Sequence, residues 1–445
     1  MKIKRLLSLL LCAAVLAATL CACADPDKFS DSELLSAGYK RDADVSKTFN
    51  YSDGAAEPPT SYNSYANLIT GYELKLFRNM AAQGGTFAFS PAVNALELSF
   101  LANGAKNDTL SEILLALGSE LTVGDINTCS SYFKSRMESV SKSDKSNDKD
   151  NKEDNKEPAG EIKLNQYLLV NNKTDVKSSF LQSNADFYGG DIARFDFSDK
   201  GYEKKVNALL EDPVYGALDL NKDGSLCAVT SLGLSDNWLT PYGDTDMVDS
   251  TFNGKKVKML ASEESYIHSD TAKGIIKYTA KNPLKLVLIM PNENVKLEEY
   301  IKTFDSVEYS KLLESFAVTS RVNAHIPPVE ISKADDPRAM SAVMTKSGLY
   351  TLFSDKSDFS NLAHSGNVRL NELFELQRGI TINRYGVFTS DSDIPQENII
   401  AGEKSGSTSP SASKAETLEF SRPFIFMLID NESNIPVYMG VYSNQ

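Results

Sequence analysis

The sequence has few of the residues on which metal centres and histidine-dependent catalysis rely. Its 445 residues include three histidines, His268, His325 and His364, and a single tryptophan. The HExxH, CxxC, P-loop and GxSxG motifs are all absent. We therefore expect no metal site and no cofactor, and we predict that the protein is not an enzyme.

Cysteine is also scarce. Cys12, Cys21 and Cys23 belong to the N-terminal segment, which leaves Cys129 and Cys227 for the rest of the chain. Two cysteines make no disulfide framework. They could pair with each other outside the cytoplasm, but we favour two buried thiols.

Basic residues are outnumbered, with 46 Lys and Arg against 60 Asp and Glu, for a net charge of -14. A chain of this charge repels a nucleic-acid backbone, so we expect no nucleic-acid partner. The composition, 41% hydrophobic and 24% charged, is that of an ordinary globular protein. Only one long apolar run is present, and it is N-terminal, which excludes a membrane protein with several spans.

Residues 1–22 are typical of an export signal. Three basic residues precede an apolar stretch from Leu6 to Leu20. Residues 20–23 resemble a bacterial lipobox, which implies that Cys23 is lipidated and becomes the mature N-terminus. A secretory signal without a lipid is the alternative. We expect an exported protein, either a cell-surface lipoprotein or an extracellular one, with a membrane contact through the lipid.

Two segments have the composition of solvated chain. Residues 23–60 are polar and lack sustained apolar periodicity, which predicts a flexible tether. Residues 139–157 contain five lysines and six acidic residues among Ser and Asn, which predicts a charged, low-complexity insertion. A folded domain is expected over residues 61–445.

Local patterns in that domain predict both helices and strands. Apolar residues recur at three- and four-residue steps over 69–80, as in an amphipathic helix. Phe87–Phe89 predicts a short strand. Ser90 and Pro91 then supply an N-cap hydroxyl and a first-turn proline for a second helix.

Other runs predict buried strands. They are short, apolar and bounded by polar or turn residues at 167–170, 284–290 and 424–429. Residues 437–441 follow the last of them across a turn, which predicts a C-terminal hairpin. The mixture of helix and strand patterns predicts an α+β fold with much sheet.

In chain order these segments resemble one family, the serpins, over about residues 61–445. The motifs that carry the resemblance are Phe87–Pro91, Leu101–Thr109, Val206–Leu210, Asn237–Tyr242, Leu286–Glu293, Phe420–Phe426 and Tyr438–Asn444. The resemblance implies a large mixed β-sheet, smaller sheets, surrounding helices and an exposed C-terminal reactive loop. Its structural motif residues are Ser90, Pro91, Asn207, Trp238, Pro423, Phe424 and Gly440. Ser421 departs from the family pattern, which has Asp or Asn there.

The resemblance also implies a function, that of a monomeric suicide-substrate inhibitor of serine-type endopeptidases. The protease would cut the exposed loop and remain as a covalent acyl complex when the cut loop inserts into the large sheet. In this chain the loop should occupy residues 387–417, and its hinge should be Gly386, Val387, Phe388 and Thr389. Family spacing places the scissile bond at Ile400–Ala401, with Lys404–Ser405 and Ala412 as alternatives.

The hinge departs from the family pattern in lacking consecutive alanines. If Val387 faces the core, Asp391 and Asp393 must also face it, and burying an unpaired carboxylate costs several kcal/mol. Pro395 could not donate to a central ladder. A register shifted by one residue, with Phe388 inside, would be acceptable. The alternative function is therefore a non-inhibitory surface protein, for binding or structure, whose loop does not insert.

Two polar pairs of the family are replaced as well. Pro328 and Arg384 stand where the family often has a lysine and a glutamate. Thr230 and Leu376 replace an asparagine and a histidine that form hydrogen bonds behind the sheet. Because both partners of the second pair are lost together, we expect no half-satisfied polar network there.

Overall fold

The computed structural model describes residues 33–42, 45, 57–139, 160–199, 201–210, 218, 220–281, 283–334, 337–364, 367–389 and 416–443. The predicted lipidation site Cys23 lies outside these residues. So do all candidate scissile positions, Ile400, Ala401, Lys404, Ser405 and Ala412, and the predicted insertion beyond Ser139.

The described residues form nine α-helices. In chain order they are α1 (Tyr62–Ala81), α2 (Pro91–Ala102), α3 (Asn107–Leu117), α4 (Val123–Glu138), α5 (Ser178–Ser183), α6 (Tyr202–Leu210), α7 (Leu297–Thr303), α8 (Ser306–Glu314) and α9 (Ser341–Lys346). A π-helical turn, Asn184–Tyr188, continues α5. No helix of these residues is both long and apolar enough to cross a membrane.

The same residues form 17 strands. They are β1 (Phe87–Phe89), β2 (Glu161–Asn171), β3 (Asp191–Phe195), β4 (Leu226–Asn237), β5 (Met247–Phe252), β6 (Lys255–His268), β7 (Ala272–Tyr278), β8 (Leu284–Pro291), β9 (Arg321–Ile326), β10 (Val329–Ile331), β11 (Arg338–Ala339), β12 (Leu370–Glu375), β13 (Ile380–Ile382), β14 (Gly386–Phe388), β15 (Thr417–Glu419), β16 (Phe424–Asp430) and β17 (Pro436–Tyr442).

The strands belong to two mixed sheets. The nine-stranded sheet has the order β1-β17-β16-β8-β7-β6-β9-β15, with β5 paired to β6. The eight-stranded sheet has the order β10-β13-β14-β4-β12-β11, and β2 pairs with the other edge of β4 and with β3. The predicted α+β class with a large mixed sheet is confirmed.

Helix α2 lies between the sheets, and all twelve of its residues are buried. The Ser90 hydroxyl accepts a hydrogen bond from the Val93 N–H at 3.4 Å, and Pro91 occupies the first turn, as predicted. The same hydroxyl donates to the Val437 carbonyl at 2.7 Å. The N-cap therefore also fixes the start of α2 against β17.

The predicted C-terminal hairpin is confirmed as β16 and β17. Gly440 of β17 pairs with Ala88 of β1 on one side and with Phe426 of β16 on the other. A Cβ at this position would lie 2.1 Å from the Phe87 carbonyl oxygen and 2.6 Å from the Phe426 ring. Only glycine fits such an approach without a shift of the backbone.

Residues 33–42, which belong to the segment predicted as a tether, contact the domain. Leu34 forms a β-bridge with Ala193, and the Arg194 N–H donates to the Glu33 carbonyl at 2.7 Å. Arg41 donates to the Asp186 carbonyl at 2.7 Å. This part of the N-terminal segment therefore lies on the edge of β3.

Cys129 and Cys227 are buried thiols. Cys129 belongs to the main core, whereas Cys227 belongs to a second cluster of buried residues that also contains α6 side chains. The two clusters lie on opposite faces of the eight-stranded sheet, since neighbouring residues of β4 alternate between them. This separation keeps the two thiols apart.

Candidate functional site

The eight-stranded sheet divides along one edge of β4. At the Leu226 end, β12 runs parallel to β4 as far as the pair Glu375 and Thr230. At the Asn237 end, β14 runs antiparallel to β4, from the Gly386 and Asn237 pair to the Phe388 and Ser235 pair. Between these two ends, β4 changes its partner on this edge from β12 to β14. We call the edge of β4 from Thr230 to Leu234 the seam.

The predicted hinge lies in the middle of this sheet. Strand β14 is antiparallel both to β4 and to β13. A Cβ on Gly386 would lie 2.0 Å from the Asp236 carbonyl oxygen, so glycine is required where the chain enters the sheet. Val387 is fully buried in the main core, and Phe388 is buried outside that cluster. Because side chains alternate along a strand, the core-facing register is the one that contains Val387.

Thr389 is the last residue described at this end of the loop, and it still contacts β4. Its N–H donates to the Leu234 carbonyl at 2.8 Å. The Leu234 N–H donates in return to the Thr389 hydroxyl, also at 2.8 Å. The hydroxyl lies 3.2 Å from the Leu234 carbonyl, to which it donates. Three of the four predicted hinge residues therefore form β14, and the fourth, Thr389, is hydrogen-bonded to β4.

Trp238 anchors the turn that precedes the hinge. Its indole N–H donates to the Asn383 carbonyl at 2.7 Å, and its main-chain N–H donates to the Tyr385 carbonyl at 2.9 Å. The Asn383 side chain accepts from the N–H groups of Tyr385 and Gly386. The tryptophan that the sequence singled out as a motif residue is thus in direct contact with the turn that leads into the hinge.

A buried ion pair lies beneath Trp238. Lys277 donates to Glu264 at 2.7 Å, and the two side chains are only 3% and 9% exposed. The Lys277 ammonium also lies 4.3 Å from the centre of the Tyr242 ring and 5.5 Å from that of Trp238. Removing either charge would leave the other buried without its partner, which is destabilising, so the pair couples β6 to β7 next to Trp238.

Arg384 stands where the family often has a glutamate, and its side chain forms an ion pair with an acidic residue. Its guanidinium donates to Asp244 at 2.6 Å and lies over the Tyr385 ring. Asp244 is 91% exposed, and exposed ion pairs contribute little to stability. The contact therefore orients the turn before the hinge without fixing it firmly.

A buried polar network lies next to the position of the replaced pair Thr230 and Leu376. Glu375, one residue before Leu376, accepts from the Ser90 N–H at 2.7 Å and from the Asn94 side chain at 3.0 Å. Burial raises the pKa of Glu375, against the opposing effect of nearby Arg338. A carboxylate thus links β12, on one side of the seam, to the start of α2.

The sequence analysis did not identify Glu375, because it considered only the replaced family positions Thr230 and Leu376 and not their neighbours. The available signal was an acidic residue next to the replaced position Leu376, together with the polar residues Ser90 and Asn94 at the start of α2. Such a residue needs partners when it is buried, and Ser90 and Asn94 are one helical turn apart.

The remaining motif residues lie away from the seam. Asn207 is half-buried on α6, and Pro423 is half-buried just before β16. Phe424 is fully buried and packs edge-on against Phe252. In the part of the chain that the structure describes, no group of three or more His, Cys, Asp or Glu side chains is placed to hold a metal ion.

Comparison with known proteins gives a family match over residues 68–445, to the model described as Serpin (serine protease inhibitor). An alpha-1-antitrypsin-like protein, GS55-MS, of Ictidomys tridecemlineatus is 23% identical over 408 residues, which cover 87% of this chain and 90% of the relative. Alpha-1-antiproteinase S of Cavia porcellus is 23% identical over 387 residues, covering 82% and 86% of the two chains.

Solved structures share the fold. The thermophilic serpin tengpin in its native state superposes with a TM-score of 0.69 at 24% identity, covering 88% of this chain and 98% of tengpin. Human thyroxine-binding globulin complexed with thyroxine gives a TM-score of 0.67 at 17% identity, covering 86% and 98%. At these identities the superpositions show a common fold.

Proposed function

Since the chain belongs to the serpin family, we propose that it inhibits serine-type endopeptidases as a suicide substrate. The observation that carries the proposal is the position of the hinge. Strand β14 already lies between β4 and β13, antiparallel to both, which is the site and direction that an inserting loop would take. Further insertion would lengthen β14 along the seam as β12 separates from β4.

The chemistry takes place on the loop. The serine hydroxyl of the protease attacks the carbonyl carbon of the scissile peptide bond, for which we propose Ile400–Ala401. The C–N bond breaks, the new amino terminus takes the proton, and the carbonyl becomes an ester of the protease serine. Insertion of the cut loop before water hydrolyses this ester would trap the covalent complex.

The proposed site of action is outside the cytoplasm. The N-terminal apolar segment and the lipobox-like residues 20–23 support export and lipidation at Cys23. An intact-mass measurement of the mature protein tests this part, because a diacylglyceryl group adds a large and defined mass to the peptide that begins at Cys23. An unmodified N-terminus would limit the proposal to a secreted inhibitor.

A second candidate function rests on the same hinge. Val387 faces the core, and in this register Asp391 would lie opposite Leu232 and Asp393 opposite Thr230 if the ladder with β4 continued. Burying two unpaired carboxylates costs several kcal/mol each. The second candidate is therefore a serpin fold that keeps its loop outside the sheet and binds a ligand. Thyroxine-binding globulin, which shares the fold, was solved in complex with thyroxine.

Thermal melting of cut and intact protein separates the two functions. A single specific protease site is introduced between residues 390 and 415, the protein is cut there, and its melting temperature is compared with that of the intact chain. A matched control carries the same site within residues 140–157. Inhibition requires a large rise in melting temperature after the first cut only, together with a covalent complex with a serine protease that survives denaturation. An unchanged melting temperature after the first cut would favour the ligand-binding function.

A further inference from the structure

We propose that the hydrogen bonds of the Thr389 hydroxyl prevent β14 from extending further along β4 while the loop is intact. We call this hydroxyl the stop. The inference rests on the proposed inhibitory function, because only a loop that inserts needs to be arrested. Thr389 directly follows β14, at the Leu234 end of the seam.

The hydrogen bonds at this point are not those of an ordinary ladder. At a hydrogen-bonded pair of an antiparallel ladder, each of the two opposite residues donates its N–H to the carbonyl of the other. Thr389 and Leu234 form such a pair by register, one step beyond Phe388 and Ser235. The Thr389 N–H does donate to the Leu234 carbonyl, at 2.8 Å. The Leu234 N–H, however, donates to the Thr389 hydroxyl at 2.8 Å, and the hydroxyl takes the place of the Thr389 carbonyl.

This substitution ends the strand. Threonine hydroxyls compete with main-chain carbonyls for nearby N–H groups, and here the hydroxyl both accepts from Leu234 and donates back to its carbonyl at 3.2 Å. To extend β14 by one pair, the Leu234 N–H must exchange the hydroxyl for the carbonyl. Thr389 is 6% exposed, so water does not readily replace the bonds that are broken during the exchange.

Thr389 is the last core-facing residue of this register before the first charged one. Val387 and Thr389 are the core-facing residues of the part of the hinge that has entered the sheet, and both are buried. The next residue in this register is Asp391, whose carboxylate would face the core opposite Leu232. A hydroxyl that holds the chain at Thr389 stops it two residues before the first carboxylate of this register would have to enter the core.

The test compares Thr389→Val, which removes the hydroxyl and keeps the shape, with Thr389→Ser, which keeps the hydroxyl. Loop insertion is started by cutting at the introduced site between residues 390 and 415. Its rate is followed through the emission of Trp238, the single tryptophan of the chain, which contacts Asn383 and Tyr385 in the turn before the hinge. The melting temperature is measured at the end of the reaction.

We expect Thr389→Val to insert about two- to twelvefold faster than the wild type, the factor that corresponds to one hydrogen bond of ordinary net strength. Thr389→Ser should insert at the wild-type rate. Unchanged melting of the intact variants confirms that both have folded, since valine is a shape-matched, β-branched residue suited to a strand.

Thr389→Val inserting at the wild-type rate or more slowly would overturn the stop, whether or not the protein inhibits a protease. If the wild type fails to insert and Thr389→Val inserts, the stop stands and the inhibitory function of the natural chain fails. If neither inserts, both proposals fail. If both insert and only the valine variant is faster, both stand.

Discussion

Replacing Val387 by aspartate tests whether the hinge must be apolar on its core face. Val387 is fully buried and lies directly opposite Asp236 in the ladder between β14 and β4. Asp236 is itself 2% exposed, and burial raises its pKa to about 6. At pH 8 the variant would therefore bring two ionised carboxylates together inside the sheet.

The cost of this change has three parts. Losing a buried valine side chain costs about 1.5–3 kcal/mol, and burying a carboxylate costs several kcal/mol more. Opposite side chains in antiparallel strands are about 5 Å apart, and two unit charges at that separation repel by about 3 kcal/mol at an effective dielectric constant of 20. The hydrogen bonds of a three-residue strand, at about 1 kcal/mol each, cannot offset this sum, so β14 should leave the sheet.

The assay measures the fraction of protein that forms a covalent protease complex, and the rise in melting temperature after the loop is cut. Val387→Asp should be cleaved as a substrate, with neither a complex nor a rise at pH 8. The control Val387→Thr, with the same shape and no charge, should keep both. Because the raised pKa of Asp236 means that its neutral form dominates below about pH 6, part of the response should return at pH 5. Wild-type behaviour of Val387→Asp at pH 8 would refute the placement of Val387 on the core face.

Three further predictions concern the stability of the fold. Burial raises the pKa of Glu97 to about 8, so its contribution to stability is full below the unfolded pKa of about 4.5 and is lost as pH rises through 8. Glu97→Gln should therefore melt above the wild type at pH 9, and the difference should vanish at pH 4; equal melting temperatures at both pH values would contradict this. Gly440→Ala, whose Cβ would lie 2.1 Å from the Phe87 carbonyl oxygen, should lose about 1–3 kcal/mol in denaturant unfolding, and an unchanged midpoint would show that β1 yields freely. Arg136 and Asp430 form an ion pair with side chains 4% and 0% exposed; Arg136→Ala should cost about 3–5 kcal/mol, more than the double variant with Asp430→Asn, and the reverse order would contradict a buried pair.

Local sequence patterns predicted the elements that depend only on neighbouring residues. The Ser90 and Pro91 start of α2 follows from an N-cap hydroxyl and a proline without an N–H group, both of which act within one turn. The hairpin of β16 and β17 follows from two apolar runs separated by a short polar turn. These predictions are confirmed because the interactions behind them span a few residues.

The sequence also supported a family resemblance and named the four hinge residues, but it left two registers open for the hinge. The structure places Val387 in the main core. That choice depends on which face of the sheet carries the core at Asp236, and local alternation of side chains cannot decide it.

What the sequence by itself determined, then, is the class of fold, the local elements with short-range signals and the segment proposed as a hinge. Only the tertiary structure decided what holds that segment. The Thr389 hydroxyl meets Leu234 across 155 residues of chain, and Glu375 meets Ser90 across 285. Such contacts follow from which strands become neighbours in the eight-stranded sheet, and no local pattern of hydrophobicity, capping or turn residues encodes the pairing of strands so far apart in the chain.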